Sequence, residues 1–277
     1  MPHGVRSQET GRGTALHRGL AGTIWCLLVP VAVLGGYLVL VLISSAWVTS
    51  TVLAGTIAGA VVVIVFGIVR VLRPAWLSFA PEVLPASVTP WFWPRIALTA
   101  VLMFLAGQAA GAWIYTHLGS TGFDRHVQAQ QSSGFALSLL ASLLVAPVVE
   151  EALFRGLLYP MLRKKAGAVV AAVLSSLLFA ALHGNAVQAM AVIPLGLLLA
   201  LVAERTRRVW PCMVLHLAYN LAAMMLPQAA VQVMSTPLCI GLFGVAWVIL
   251  FVLLGRQVLS GGITEQTGEP RARDETE

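Results

Sequence analysis

The sequence predicts an all-α protein, a polytopic membrane bundle of about eight transmembrane helices in one domain. Three observations carry that prediction. Of 277 residues, 58% are hydrophobic and only 10% are charged, where soluble domains average about 25% charged. The apolar residues gather into runs close to the ~17 to 25 residues that a bilayer-spanning helix needs. Lys and Arg, finally, collect in every second connection between those runs.

Eight runs follow in order. The first is Thr23 to Ile43, read as an uncleaved anchor because about 20 residues exceeds a signal peptide's apolar core of ~7 to 15. Trp47 to Val69, Ile96 to Tyr115 and Phe135 to Tyr159 come next, and then Ala168 to His183, Ala186 to Val202, Cys212 to Leu226 and Leu238 to Leu254. The fifth to seventh are short or interrupted, and they hold polar residues. The membrane domain thus covers residues 20–256, between polar tails at 1–19 and 257–277 too poor in large apolar groups to bury a core. The connection from Arg73 to Pro94 carries five prolines with Trp76, Trp91 and Trp93. Proline disfavours regular helix and tryptophan favours the headgroup level, so it reads as interfacial. The connection Thr116 to Gly134 should lie on the opposite side.

Orientation follows from charge. Arg6, Arg12 and Arg18 precede the first run, while Arg70, Arg73 and Arg95 lie between the second and third. Arg163, Lys164 and Lys165 follow the fourth, Arg205, Arg207 and Arg208 the sixth, and Arg256, Arg271 and Arg273 the eighth. The alternate connections hold only Arg125. Positive residues stay in the cytoplasm, which places both termini there. Topology then explains the net charge of +6, with no basic patch interleaved with aromatics to suggest nucleic acid. Cys26, Cys212 and Cys239 are scattered singly, neither a metal cage nor a disulfide framework.

Against this apolar background stands a polar set. Glu150-Glu151-x-x-x-Arg155 lies in the fourth run, and His183, His216 and Asn220 lie in or beside later ones. A charge at a helix centre costs roughly 2.5 to 3.5 kcal/mol on insertion scales, so such residues are functional candidates by default. Glu151 and Arg155 are spaced for a helical ion pair with the acid first. Glu150 points about 100° away from Glu151, so the two carboxylates should face different partners, one structural and one chemical. Phe179 precedes His183 by one helical turn and His216 precedes Asn220 likewise, so each pair shares a face. Measured from Lys164-Lys165, Glu150 is ~22 Å and His183 ~27 Å along its run; from Arg208, His216 is ~12 Å and Asn220 ~18 Å. These depths favour access from the cytoplasm. A desolvated glutamate suits a general base acting on water, and an asparagine amide suits an oxyanion. HExxH, GxSG and in-span aspartates are absent from the sequence.

These motifs resemble those of the CAAX prenyl endopeptidase and bacteriocin-processing (CPBP, or Abi) family of intramembrane proteases. The resemblance runs from Leu143 to Leu221, with Ala146-Pro147 before the glutamates, Phe154-Arg155-Gly156-Leu157 after, and Glu204-Arg205-Thr206 upstream of the seventh run. It implies that Glu150 activates the attacking water with His183, that His216 and Asn220 stabilise the oxyanion, and that Glu151, Arg155 and Phe179 support them. The cofactor reading is open between none and zinc, because Glu150, His183 and His216 could also form a three-ligand site with an open water position. No second acid is evident to orient either histidine, unless Glu151 does so.

The expected partner is a membrane-associated protein or peptide substrate in the lipid bilayer. Composition rich in Ala, Val, Gly and Arg suggests a bacterial cytoplasmic membrane, which argues against a prenylated substrate. Two other functions share these features. A proton-coupled transporter also uses intramembrane Glu, His and Arg, although no matched pair of broken helices marks the two halves. A non-catalytic membrane scaffold or immunity protein is the other.

Overall fold

A computed structural model describes residues 6–77 and 90–260, and all regular structure among them is helical. The sequence reading of residues 261–277 as a tail, and of the middle of the Arg73 to Pro94 connection, lies outside the described residues.

Helix α1 (Arg6–Ser45) and α2 (Thr51–Leu72) form an antiparallel pair, followed by the short α3 (Pro74–Leu77). The backbone of α1 is helical from Arg6. A helix closes its own backbone hydrogen bonds locally, so it can run past the apolar stretch Gly22–Ser45. Ser50 caps α2, its hydroxyl accepting from the Leu53 amide. Helix α4 (Phe92–Leu118) starts four residues before the apolar run it contains. Lys164 donates to the Ala75 carbonyl and so ties α3 to the cytoplasmic-type basic turn.

Six helical stretches are long and apolar enough to cross a bilayer, fewer than the eight expected. One of them, Phe135–Leu182, has 48 residues, about 72 Å of helix against a hydrocarbon core of ~30 Å. Gly167, with φ 78° and ψ 171°, breaks it, so it supplies the fourth and fifth expected spans. The glycine is required there because its φ is positive. The seventh expected span, α10 (Trp210–Met225), has 16 residues, about 24 Å, and falls short of a full crossing. Helices α9 (Ala186–Thr206) and α12 (Pro237–Ser260) account for the sixth and eighth, with α11 (Gln228–Met234) between α10 and α12.

The Phe135–Leu182 stretch is not uniform. Helix α6 (Phe135–Leu140) leads into a widened π turn at Ala141–Val145, then α7 (Ala146–Glu151), a second π turn at Ala152–Leu158, and α8 (Tyr159–Leu182). Each wide turn lies just before a proline, Pro147 and Pro160. A proline ring clashes with the carbonyl four residues back, here Leu143 and Gly156, and both sit inside the wide turns. Opening the turn relieves that clash, and such bulges concentrate at functional sites.

Helix α9 is the hub, packed against α4, α8, α10 and α12. Its approach to α4 is close because Gly107 and Gly111 face it: a Cβ on Gly107 would stand 2.7 Å from the Ala191 carbonyl oxygen. Small residues at such spacing let membrane helices approach to backbone contact. The buried apolar core runs through Phe154, Leu158, Tyr159, Leu162, Phe179, Leu195, Leu198 and Leu199. Leu27, Val31, Leu42, Ile64, Leu98, Val101, Leu238 and Leu242 remain outward-facing and exposed, as a lipid-facing surface requires.

Where a loop was expected over Thr116 to Gly134, the chain forms α5 (Thr121–Ser132). Ser120 caps it by accepting from the Phe123 amide at 3.2 Å, and Asp124 lies in its first turn. Hydropathy missed this helix because its residues are mostly polar.

Candidate active site

The site is built around α7 and the second π turn. Glu151 and Arg155 are fully buried and paired, with Arg155 Nη1 donating to Glu151 Oε1 at 3.0 Å. Arg155 Nη2 donates to the Gly196 carbonyl at 2.9 Å, and its guanidinium lies 4.8 Å from the centre of the Phe179 ring. A buried guanidinium needs such partners, since leaving its charge uncompensated costs several kcal/mol. The ion pair read from the spacing is therefore present, and it also braces α7 against α8 and α9.

Glu151 has a second partner. His216, carried by α10, places Nδ1 2.9 Å from Glu151 Oε1. Its Nε2 faces Glu150 Oε2 at 3.9 Å. A single buried imidazole thus stands between the two carboxylates. Glu151 orients His216, which answers the question of a second acid that the sequence left open. Glu150 differs from its neighbour in exposure, 20% against 0% for the side chain, while the Oε2 of each has no hydrogen-bond partner among the described residues. The two acids share His216 and differ in that Glu151 also holds Arg155.

Phe179 gathers the remaining motifs. Its ring packs edge-on against Phe154, His183 and His216, with centroids 5.2, 5.2 and 5.7 Å away. His183 caps the end of α8, with Nδ1 3.0 Å from the Phe179 carbonyl. A carbonyl only accepts, so Nδ1 carries the proton and Nε2 is left as an acceptor. Asn220, one turn beyond His216, donates one amide hydrogen to the Ser142 carbonyl in the first π turn at 2.8 Å. Its second amide hydrogen remains available. Adjacent Tyr219 receives a hydrogen bond from Gln108 at 3.1 Å and donates to the Ala191 carbonyl at 2.9 Å, fixing the rotation of α10.

His183 lies at the end of α8 remote from Lys164-Lys165, within electrostatic reach of His126 on α5. Among the described residues no three His, Cys, Asp or Glu side chains are grouped to hold a metal. Glu150, His183 and His216 are accordingly not grouped as a three-ligand set.

The sequence also missed residues. His126 on α5 is within electrostatic reach of both His183 and Glu150, and Tyr37 on α1 is within reach of Glu150. Nothing in the local sequence marks either one. On the opposite side, Glu204 accepts from Tyr159 at 2.8 Å, Arg163 at 3.1 Å and Arg207 at 3.2 Å. That cluster locks the basic ends of α8 and α9 together.

A family model described as type II CAAX prenyl endopeptidase Rce1-like matches residues 132–222. That interval contains all three motifs and every residue of the Glu150–His216 cluster. Over that interval the chain is similar to the type II CAAX prenyl endopeptidases. Among curated proteins it is also similar to the Bacillus subtilis (strain 168) protein named "Putative membrane peptidase YdiL", 29% identical over 84 residues, which is 30% of this chain and 34% of that relative. The chain therefore matches about a third of that relative's length. No solved structure matches. The matched interval begins at the end of α5, so α1 to α4 lie outside it.

Proposed function

We propose that this protein is an intramembrane endopeptidase that hydrolyses a peptide bond of a membrane-associated protein or peptide, with Glu150 as general base. The observation that carries this reading is the asymmetric environment of the two carboxylates. Glu151 is fully buried and holds both Arg155 and His216 through Oε1, while Glu150 is 20% exposed and keeps an unpartnered oxygen 3.9 Å from His216 Nε2. That spacing is beyond a direct hydrogen bond and suits a bridging water or substrate carbonyl.

In the reaction, Glu150 takes a proton from water as the oxygen attacks the scissile carbonyl carbon, and His183 Nε2 helps to orient that water. The carbonyl oxygen becomes an oxyanion, received by His216 Nε2–H and the free amide hydrogen of Asn220. With His216 protonated, Glu150, Glu151, Arg155 and His216 sum to zero charge, which lowers the cost of burying them together. Collapse of the intermediate breaks the C–N bond, and Glu150 returns its proton to the leaving amine. Preorganised donors of this kind are each worth about 10²- to 10³-fold. The protein acts in a multi-pass membrane setting, with both termini in the cytoplasm of a bacterium.

The test compares new peptide termini in membranes from cells making wild type or Glu150→Gln at matched abundance. Cleavage products confined to wild type are expected, and they name the substrate. Identical termini from both folded proteins would reject the protease.

A further inference from the structure

Helix α5 lies across the end of the bundle where His183 sits, and one of its faces is directed at the site. Gly122, His126 and Gln130 are four residues apart and share that face. At one end of it, Gly122 packs so tightly on the turn after His183 that a Cβ would come within 2.9 Å of Asn185 Cβ and 3.1 Å of the Gly184 carbonyl oxygen. At the other end, Gln130 donates to Ser142 Oγ at 3.3 Å, and Ser142 is the residue whose carbonyl holds Asn220. His126 stands between these two anchors. The helix is strapped from behind as well: Tyr115 donates to Asp124 at 2.7 Å and packs its ring against Phe123. Ser133 Oγ meets Ser50 Oγ at 3.3 Å at the start of α2.

We infer that His126 is a further positioning residue of the site, a third imidazole that α5 holds over Glu150 and His183 to orient the attacking water. The inference rests on the protease reading above. A neutral imidazole supplies an N–H donor, the group that can still bind a water whose two hydrogens go to a carboxylate and an acceptor nitrogen. Burial keeps His126 in that neutral form by pulling its pKa below the usual imidazole range, with His183 adding to the effect and Glu150 opposing it.

The experiment has two arms in full-length protein in native membranes. In the first, paired cysteines at positions 126 and 183 are oxidised with copper phenanthroline, beside a control pair at 124 and 183, since Asp124 is exposed on another face of α5. Crosslinking of the 126 pair alone is expected, and equal crosslinking of both pairs, or of neither, overturns the placement. In the second arm, Glu150-dependent products are quantified for His126→Asn, which keeps a donor and an acceptor, and for His126→Leu, which keeps only bulk. A loss of about 10²-fold is expected for leucine, the scale of a misplaced reactant, with substantial recovery in asparagine. Wild-type product levels in both variants, or equal loss in both, overturn the positioning role. If Glu150→Gln itself leaves all products unchanged, the protease reading fails instead, and the crosslinking arm still reports where His126 lies.

Discussion

His216 Nδ1 and Glu151 Oε1 meet at 2.9 Å, joining α10 to α7 across 65 residues of sequence at a point where both side chains are buried. This bond converts Glu151 from half of a helical ion pair into the shared acceptor of a guanidinium and an imidazole. Replacing Glu151 with Ala strands Arg155 without its counter-charge and frees His216. A loss of about 3–5 kcal/mol is expected, the range for breaking a buried pair. Thermal unfolding in detergent reads it, and Glu150→Gln provides the contrast, unfolding close to wild type while losing cleavage.

Arg155→Lys is expected to behave as a severe change. Lysine cannot fork between Glu151 and the Gly196 carbonyl or lie flat against Phe179. Losing that hydrogen bond from a charged donor costs about 1.5–3 kcal/mol. The same unfolding assay should show a clear drop, and a lysine variant as stable as wild type would contradict the fork seen here.

The contact of α4 with α9 gives a packing test. Gly107→Val places carbon where the Ala191 carbonyl oxygen already lies, 2.7 Å from a Cβ. Overpacking of this sort costs about 1–3 kcal/mol. Gly241→Ala is the control, because a Cβ there meets nothing within 4 Å, and it should unfold within about 0.5 kcal/mol of wild type.

Acidification should weaken the docking of α5. The groups facing His126 are Glu150 from α7 and His183 from α8; Asp124 and Arg125 are its own neighbours, and Tyr115 and His117 end α4. Its pKa is lowered in the folded protein, first by burial, so the unfolded chain binds more protons as pH falls. The neutral form's stability is therefore complete above the ordinary imidazole value of about 6.5 and is lost as pH drops through it towards the lower folded value. Between pH 7.5 and 5.5 the wild-type unfolding temperature should fall further than that of His126→Gln. Equal falls would show that His126 does not contribute.

Much of this site was legible because its signals are local. The spacing of Glu151 and Arg155 by one turn places them on one helical face whatever the rest of the bundle does, and the same holds for Phe179 with His183 and His216 with Asn220. The 100° offset between Glu150 and Glu151 likewise separates their environments before any packing is known. Depth along the bundle was less legible, since counting residues assumes straight helices, and the Gly167 break and two π turns depart from that.

By itself the sequence determined that this is an apolar helical bundle, which segments are helical enough to span, and which polar side chains share a turn, because hydropathy and helical period belong to short stretches of chain. Only the tertiary structure decided that His216 turns Nδ1 to Glu151 and Nε2 to Glu150, that Phe179 touches both histidines, and that α5 brings His126 within electrostatic reach of Glu150 and His183. Those relationships depend on how each helix is rotated and crossed against its neighbours. Close approaches such as Gly107 on Ala191 and Gly122 on Asn185 set that rotation, and they join residues far apart in the chain.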